Sequence, residues 1–129
     1  MTSLGRVLVV EDEPQVALLI HDALQECGYA VRVAVDGHEA LDLVSAYQPD
    51  VVLLDLWLPG LSGDSVLEAL RRDVPAVPVI IVSANRDADR ARALLAHGAF
   101  DYLMKPFELA VLERTVAAAV VEHGRRRAS

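Results

Sequence analysis

The chain has 129 residues, a formal net charge of −7, and a composition that is 53% hydrophobic but only 5% aromatic. This length fits one domain, which can bury roughly two-thirds of its unfolded surface and therefore needs no disulfide or structural metal to fold. The net negative charge argues against a broad basic face for nucleic acid. The chain has one cysteine, no long apolar run and no signal-peptide pattern. These features predict a soluble, cytoplasmic protein without a membrane span.

Two kinds of segment alternate along the chain. Short apolar segments rich in β-branched residues are typical of strands covered on both faces, and longer segments with apolar residues at helical spacing are typical of amphipathic helices. In chain order, the predicted elements are a strand at Val7–Val10, a helix from Pro14 to a stop at Gly28, a strand at Tyr29–Val35, a helix at His38–Tyr47, a strand at Val51–Leu54, a helix capped by Ser62, a strand at Val79–Val82, a helix at Asp87–His97, a strand at Phe100–Met104 and a helix at Phe107–Glu122. This alternation predicts an α/β fold with helices packed on a parallel sheet, which binds its ligands outside the carboxyl ends of the strands.

Carboxylates follow two of the predicted strands. Glu11, Asp12 and Glu13 come directly after the first strand, and Asp55 follows the third. Because the strands are parallel, these groups should meet at one edge of the sheet, where they would repel and raise one another's pKa values. A hard divalent cation relieves such crowding. A site with only a few protein ligands and with room for several water molecules favours Mg²⁺ over Ca²⁺. For Glu13 we prefer another role, in which its carboxylate caps the first helix and favours the helix dipole.

A hydroxyl group and a cation follow the fourth and fifth strands. Ser83 comes directly after Val82, and Lys105 follows the strand that begins at Phe100. Lys105 is the only lysine, whereas the other strong cations are arginines, which indicates that a compact ammonium group is needed at this position. A carboxylate nucleophile, a metal site, a hydroxyl donor and an ammonium group together predict phosphoryl transfer to Asp55.

Four stretches of the sequence resemble the receiver domain of two-component response regulators. They occur in the order and spacing of that family and are Val9–Glu13, Leu53–Gly60, Val82–Ala84 and Gly98–Phe107. The resemblance implies a flavodoxin-like (CheY-like) fold, which is a doubly wound five-stranded parallel sheet with strand order 2-1-3-4-5 and helices on both faces. We expect the receiver domain to span residues 1–123, followed by a basic C-terminal tail at residues 124–129.

The site residues of the family match positions in this sequence. The resemblance implies that Asp55 is the phosphoacceptor and that Ser83 and Lys105 hold the phosphoryl oxygens. It also implies that Tyr102 swings inward when the domain is activated. The implied Mg²⁺ ligands are Glu11, Asp12, Asp55 and the backbone carbonyl of Trp57.

Two positions beside the acceptor depart from the commonest family pattern. Trp57 is bulkier than the usual residue two positions after the acceptor, and Asn85 lies at a variable position two residues after Ser83. Both should flank the path of the water that hydrolyses the acyl phosphate. They should therefore tune the lifetime of the phosphorylated state without changing its chemistry.

The resemblance also implies a set of partners. A sensor histidine kinase or a phosphotransfer protein would donate the phosphoryl group from phosphohistidine, with Mg²⁺ as the cofactor. The protein would then be a signalling switch rather than an enzyme, since it would catalyse only its own phosphorylation and autodephosphorylation. Phosphorylation would change a partner-binding face made of the fourth helix, the fifth strand and the fifth helix, and the same face could form a homodimer. We expect no direct binding of nucleic acid or membrane by this domain.

Two alternatives make different demands on the sequence. A magnesium-dependent phosphatase of the haloacid-dehalogenase type also uses an aspartate nucleophile, but it needs a second acid two residues later, where this chain has Trp57. A receiver that signals without phosphate would be indicated by the loss of Asp55, Asp12 or Lys105, all of which are present. The sequence leaves open whether the chain is a stand-alone regulator or part of a longer one.

Overall fold

The computed structural model describes residues 3–128 of the chain, apart from the side chain of Asn85. Five strands form one parallel sheet in the order β2-β1-β3-β4-β5. The strands are β1 (Arg6–Val10), β2 (Ala30–Ala34), β3 (Val51–Asp55), β4 (Val79–Ala84) and β5 (Asp101–Lys105). The predicted strand order and the flavodoxin-like architecture are therefore confirmed.

Helices connect the strands and cover both faces of the sheet. They are α1 (Pro14–Glu26), α2 (Gly37–Tyr47), α3 (Gly63–Asp73), α4 (Ala88–Ala96) and α5 (Leu109–Ala128), and a short 3₁₀ turn (Asn85–Asp87) precedes α4. As predicted, Ser62 caps α3, because its hydroxyl accepts a hydrogen bond of 3.2 Å from the backbone N–H of Ser65. Within the described chain, none of these helices combines the length and the apolar character needed to cross a membrane.

Helix α5 is longer than the sequence predicted. The predicted end was Glu122, but the helix continues to Ala128. The basic segment that follows residue 123 is therefore helical as far as residue 128. A physical reason is that the carboxylate of Glu122 accepts hydrogen bonds from Arg125 and Arg126 one turn later, and arginines near a helix C-terminus favour the helix dipole. The division of the chain into a domain and a basic tail stays a prediction.

The sheet is buried on both faces, as its apolar strands predicted. Along β1, Leu8 and Val10 belong to the core under α2, α3 and α4, whereas Val7 and Val9 belong to the core under α1 and α5. All four side chains are at most 1% exposed. Polar side chains of the central strands are consequently concentrated at the strand ends.

At the amino ends of the strands, Arg6, Asp50 and His123 form what we call the amino-end cluster. Asp50 lies just before β3, and its Oδ2 atom accepts a hydrogen bond of 2.7 Å from the backbone N–H of Arg6. Its Oδ1 atom lies 2.9 Å from Nδ1 of His123, a buried residue of α5. The cluster therefore ties the last turns of α5 to the starts of β1 and β3.

Candidate functional site

The polar residues that the sequence singled out lie at the carboxyl ends of four strands. Glu11 and Asp12 follow β1, Asp55 ends β3, and Ser83 and Lys105 lie at the ends of β4 and β5. These four strands are consecutive in the sheet, and each pairs in parallel with the next. The fold therefore brings the five residues to one edge, as the sequence predicted.

Three carboxylates crowd this edge. One oxygen atom from each of Glu11, Asp12 and Asp55 lies within 4.8 Å of the others. Glu11 is only 2% exposed and Asp55 is also buried, whereas Asp12 is exposed. Burial, followed by the hydrogen bond and the charge of Asp55, raises the pKa of Glu11 to about 7. The predicted crowding is thus present, and this oxygen-rich group is suited to a divalent metal ion.

Lys105 lies between the two buried carboxylates. Its Nζ atom is 3.1 Å from Oε1 of Glu11 and 3.1 Å from Oδ2 of Asp55. Burial disfavours the ammonium form, but the hydrogen bonds and charges of Asp55 and Glu11 outweigh that effect and raise the pKa of Lys105. The peptide bond between Lys105 and Pro106 is cis. We call Glu11, Asp12, Asp55 and Lys105 the carboxyl-end cluster.

Two backbone amides also contact these carboxylates. The N–H of Trp57 donates a hydrogen bond of 2.9 Å to Oδ1 of Asp55, and the N–H of Glu13 donates one of 3.2 Å to Oε2 of Glu11. Glu13 occupies the N-cap position of α1, but its side chain makes no capping hydrogen bond with any residue that the structure describes. Its carboxylate lies 4.0 Å from Nζ of Lys105 instead. The predicted capping role of the Glu13 side chain is therefore wrong, because the carboxylate lies on the side of Lys105 and does not accept a hydrogen bond from the first turn of α1. Its favourable interaction with the helix dipole stays a prediction.

Ser83 presents a buried hydroxyl group next to this cluster. The residue is 1% exposed, and its Oγ atom has no hydrogen-bond partner among the described residues. Buried hydroxyls are normally paired, so this one is suited to an oxygen-rich ligand. The adjoining cleft has a volume of about 280 Å³ and is lined by Asp12, Glu13, Asp55, Trp57, Ala84, Arg86 and Lys105. Sequence reasoning missed Arg86, because a residue on an exposed turn gives no periodic signal.

The side chain of Trp57 spans two loops at this edge. It is 55% exposed, and its indole N–H donates a hydrogen bond of 2.8 Å to Oδ2 of Asp87. The guanidinium of Arg90 lies over the indole, 4.7 Å from the ring centre, and donates a hydrogen bond of 2.7 Å to Oδ1 of Asp64. The sequence predicted that Trp57 flanks the path of the hydrolytic water, but it predicted none of these partners. The closest signal was the run of charged residues after Ser83, which does not specify what each residue contacts.

Tyr102 and Asn85 are the remaining predicted site residues, and neither belongs to the carboxyl-end cluster. Tyr102 is half-buried against the core under α2, α3 and α4, and its hydroxyl interacts with Arg92 of α4. The side chain of Asn85 lies outside the described part of the structure. The inward swing of Tyr102 and the influence of Asn85 on hydrolysis both stay predictions.

Comparison with known sequences supplies a second line of evidence. A family model described as the response regulator receiver domain matches residues 7–117. The transcriptional regulatory protein PrrA of Mycobacterium tuberculosis is 44% identical over 119 residues, which are 92% of this chain and 51% of PrrA. The nitrogen assimilation regulatory protein NtrX of Azorhizobium caulinodans is 37% identical over 103 residues, which are 78% of this chain and 23% of NtrX. The chain therefore spans about half or less of the length of these curated relatives.

Solved structures agree with the sequence comparison. The receiver domain of the Francisella response regulator 1452 superimposes with a TM-score of 0.82 at 35% identity, and the match covers 94% of this chain and 98% of that one. NtrX from Brucella abortus, in complex with ADP, superimposes with a TM-score of 0.91 at 29% identity, covering 98% of this chain and 29% of that one. Both matches extend over nearly the whole fold described above.

Proposed function

This chain belongs to the response regulator receiver domain family, whose function is a phosphorylation-based signalling switch, and we propose that Asp55 is its phosphoacceptor. The observation that carries the proposal is the setting of Asp55. It is a buried carboxylate at the end of a central strand, with one oxygen on the backbone N–H of Trp57 and the other on the ammonium of Lys105.

The residues around Asp55 fit Mg²⁺. The cluster holds three carboxylates and one ammonium group, which contacts Glu11 and Asp55, so it keeps an excess of negative charge that a divalent cation would neutralise. We propose that Glu11, Asp12 and Asp55 hold the ion together with the backbone carbonyl of Trp57. When bound, the ion would neutralise charge on the oxygens of the phosphoryl group being transferred.

The chemical step that we propose is an in-line displacement at phosphorus. A carboxylate oxygen of Asp55 would form a bond to the phosphorus atom of a phosphohistidine while the P–N bond breaks, and the histidine nitrogen would leave with the bonding electron pair. Lys105, which contacts Asp55 at 3.1 Å, would turn its ammonium toward a phosphoryl oxygen. Ser83 would donate a hydrogen bond to another phosphoryl oxygen, which would satisfy its buried hydroxyl.

The same residues would act in the switch and in its reversal. The phosphoryl group would draw Ser83 toward Asp55, Tyr102 would move toward the vacated space, and the face of α4, β5 and α5 would change its affinity for partners. Autodephosphorylation would reverse the change when water attacks phosphorus, the bond to the Asp55 oxygen breaks and inorganic phosphate leaves. Trp57 and Asn85 would tune the rate of that step.

The proposed partners follow from this chemistry and from the family. A sensor histidine kinase or a phosphotransfer protein would supply the phosphoryl group. The face of α4, β5 and α5 would bind an output domain, a separate partner or a second copy of the chain. Two observations argue against a phosphatase of the haloacid-dehalogenase type. The chain belongs to a different family, and it has Trp57 where such a phosphatase needs an acid.

Incubation with acetyl phosphate and Mg²⁺ tests the assignment of Asp55. Intact-mass analysis should detect one added phosphoryl group on the wild-type chain and none on Asp55→Asn. Asp50→Asn is the matched control, because it changes a carboxylate of the amino-end cluster and should be labelled at close to the wild-type rate. Labelling of Asp55→Asn at the wild-type rate would contradict the proposal.

A further inference from the structure

Four side chains form a bridge that reaches the cleft at Trp57. Trp57 comes from the loop after β3, Asp64 from α3, Asp87 from the 3₁₀ turn after β4, and Arg90 from α4. We call these four residues the indole bridge. It joins the segments that follow β3 and β4, which are the strands that carry the acceptor carboxylate and the buried hydroxyl.

Asp87 directs its carboxylate to the indole rather than to its own helix. It occupies the N-cap position of α4, where aspartate is a preferred capping residue, yet it makes no capping hydrogen bond with the residues that the structure describes. Its Oδ2 atom accepts the indole N–H of Trp57 instead, and its side chain is only 13% exposed. The contact with Trp57 therefore takes the place of a helix cap.

A second contact fixes the face of the indole. The guanidinium of Arg90 lies 4.7 Å from the ring centre and is itself held by Asp64 at 2.7 Å. A tryptophan side chain has two rotatable bonds, so one contact at its N–H and another on its face together restrict both of them. An indole that is 55% exposed is thus held in one orientation without being buried.

We propose that Asp87 is a positioning residue that acts through Trp57 to prolong the phosphorylated state. The proposal rests on the proposed phosphorylation of Asp55. Trp57 lines the cleft that also contains Asp55 and Lys105, so an indole held in one orientation there would limit the directions from which water can approach. Hydrolysis needs a water oxygen to form a bond to phosphorus in line with the bond to Asp55, which breaks as inorganic phosphate leaves. Release of the indole from Asp87 would open that approach.

A double-mutant cycle tests whether Asp87 acts through Trp57. Asp87→Ala removes the acceptor of the indole hydrogen bond, and Trp57→Phe keeps an aromatic ring but cannot donate that bond. Asp87→Ala should shorten the half-life of the acyl phosphate about fivefold, which corresponds to one net hydrogen bond. In the Trp57→Phe background the same change should have little effect. Asp87→Asn keeps a carbonyl acceptor and should retain most of the wild-type half-life.

Fluorescence tests the bridge before phosphorylation. Trp57 is the only tryptophan in the chain, so its emission and anisotropy report the indole directly. Asp87→Ala should alter the emission and lower the anisotropy. It should leave the Mg²⁺ midpoint unchanged, because the ligand proposed at residue 57 is backbone. Asp89→Ala is the matched control, because it removes a neighbouring carboxylate of α4 that pairs with Arg92, and it should change neither fluorescence signal.

The outcomes separate this inference from the proposed function. Absence of acyl phosphate on the wild-type chain would overturn both. If the protein is phosphorylated normally but Asp87→Ala shortens the half-life equally in the wild-type and Trp57→Phe backgrounds, only the inference is overturned. Unchanged emission and anisotropy in Asp87→Ala would also overturn it, because the indole would then not depend on Asp87 for its position.

Discussion

The two ends of the sheet both carry charged side chains, but they differ in how completely those charges are paired. In the amino-end cluster, one oxygen of Asp50 accepts a backbone hydrogen bond from Arg6, and the other lies 2.9 Å from the ring of His123. The carboxyl-end cluster has three carboxylates within 4.8 Å of one another and a single ammonium group, which contacts two of them, Glu11 and Asp55. One end of the sheet therefore has a single carboxylate with both oxygens paired, whereas the other has three crowded carboxylates.

This difference separates a structural cluster from a ligand site. The amino-end cluster has one carboxylate, and both of its oxygens are paired, so it can hold α5 against the sheet without a ligand. The oxygens of Glu11 and Asp55 are also paired, but these two carboxylates lie close to each other and to Asp12. An excess of crowded negative charge destabilises the fold, and such local conflicts are expected where a ligand relieves them. Changes to the amino-end cluster should consequently affect stability alone, whereas changes to the carboxyl-end cluster should also alter the response to ligands.

Removal of the ammonium group of Lys105 should have the largest effect on stability. Lys105→Met leaves Glu11 and Asp55 buried without their cation, and loss of one partner from a buried ion pair costs about 3 kcal/mol. Urea unfolding without Mg²⁺ should detect this loss, and millimolar Mg²⁺ should restore much of it. Asp50→Asn should also destabilise the protein but should gain no more from Mg²⁺ than the wild type does. If Mg²⁺ stabilised both variants equally, the two clusters would not differ in their response to the metal ion.

The pH dependence of stability should reveal the raised pKa of Glu11. The pKa of Glu11 is raised from 4.5 to about 7, so its contribution to stability is fully present below pH 4.5 and is lost as the pH rises through 7. Lys105, whose pKa is also raised, keeps its charge over this range. Without Mg²⁺, the wild type should therefore lose on the order of 2 kcal/mol between pH 5 and pH 8 relative to Glu11→Gln. Parallel stability curves for the two proteins would show that Glu11 titrates normally.

Mg²⁺ itself should stabilise the wild-type protein by a smaller amount. A ligand at ten times its dissociation constant raises the free energy of unfolding by about 1.4 kcal/mol, which corresponds to roughly 5 °C in melting temperature for a domain of this size. Asp12→Ala removes an exposed member of the carboxyl-end cluster and should abolish most of the rise. A full response to Mg²⁺ in Asp12→Ala would exclude Asp12 as a ligand.

The smallest effect on stability should come from the buried hydroxyl. Ser83→Ala removes an oxygen that has no partner among the described residues, so it should change the free energy of unfolding by less than about 0.5 kcal/mol or should stabilise the protein slightly. The same variant should lose most of the change in Trp57 emission that accompanies phosphorylation. A large loss of stability in Ser83→Ala would show that the hydroxyl already has a structural role.

Most of the polar residues at the carboxyl ends of the strands could be predicted, because chain order and strand direction determine their positions. Glu11, Asp55, Ser83 and Lys105 each follow or end an apolar strand, and parallel strands place their carboxyl ends together. The fold class followed from the same segments, since strands covered on both faces are continuously apolar. The strand order came from the family resemblance, because the alternation of strands and helices alone is compatible with several orders.

Contacts between exposed polar side chains could not be predicted in this way. The indole bridge depends on loop conformations that bring Asp87 to Trp57 across 30 residues of chain, and the amino-end cluster also joins distant segments. The end of α5 was missed because an arginine-rich segment has no apolar periodicity. The helix continues there with Glu122 paired to Arg125 and Arg126 within one turn, a local interaction that composition does not reveal.

The single lysine of this protein has a consequence for its reactivity toward amine reagents. Acylating reagents attack unprotonated primary amines, and Lys105 offers the only side-chain amine in the sequence. Its contacts with Glu11 and Asp55 favour the protonated, unreactive form. Acylation at this position should therefore be slow while those contacts persist and should accelerate when the amine is released. Because no other side chain carries an amine, any acylation of a lysine reports the release of Lys105 from Glu11 and Asp55.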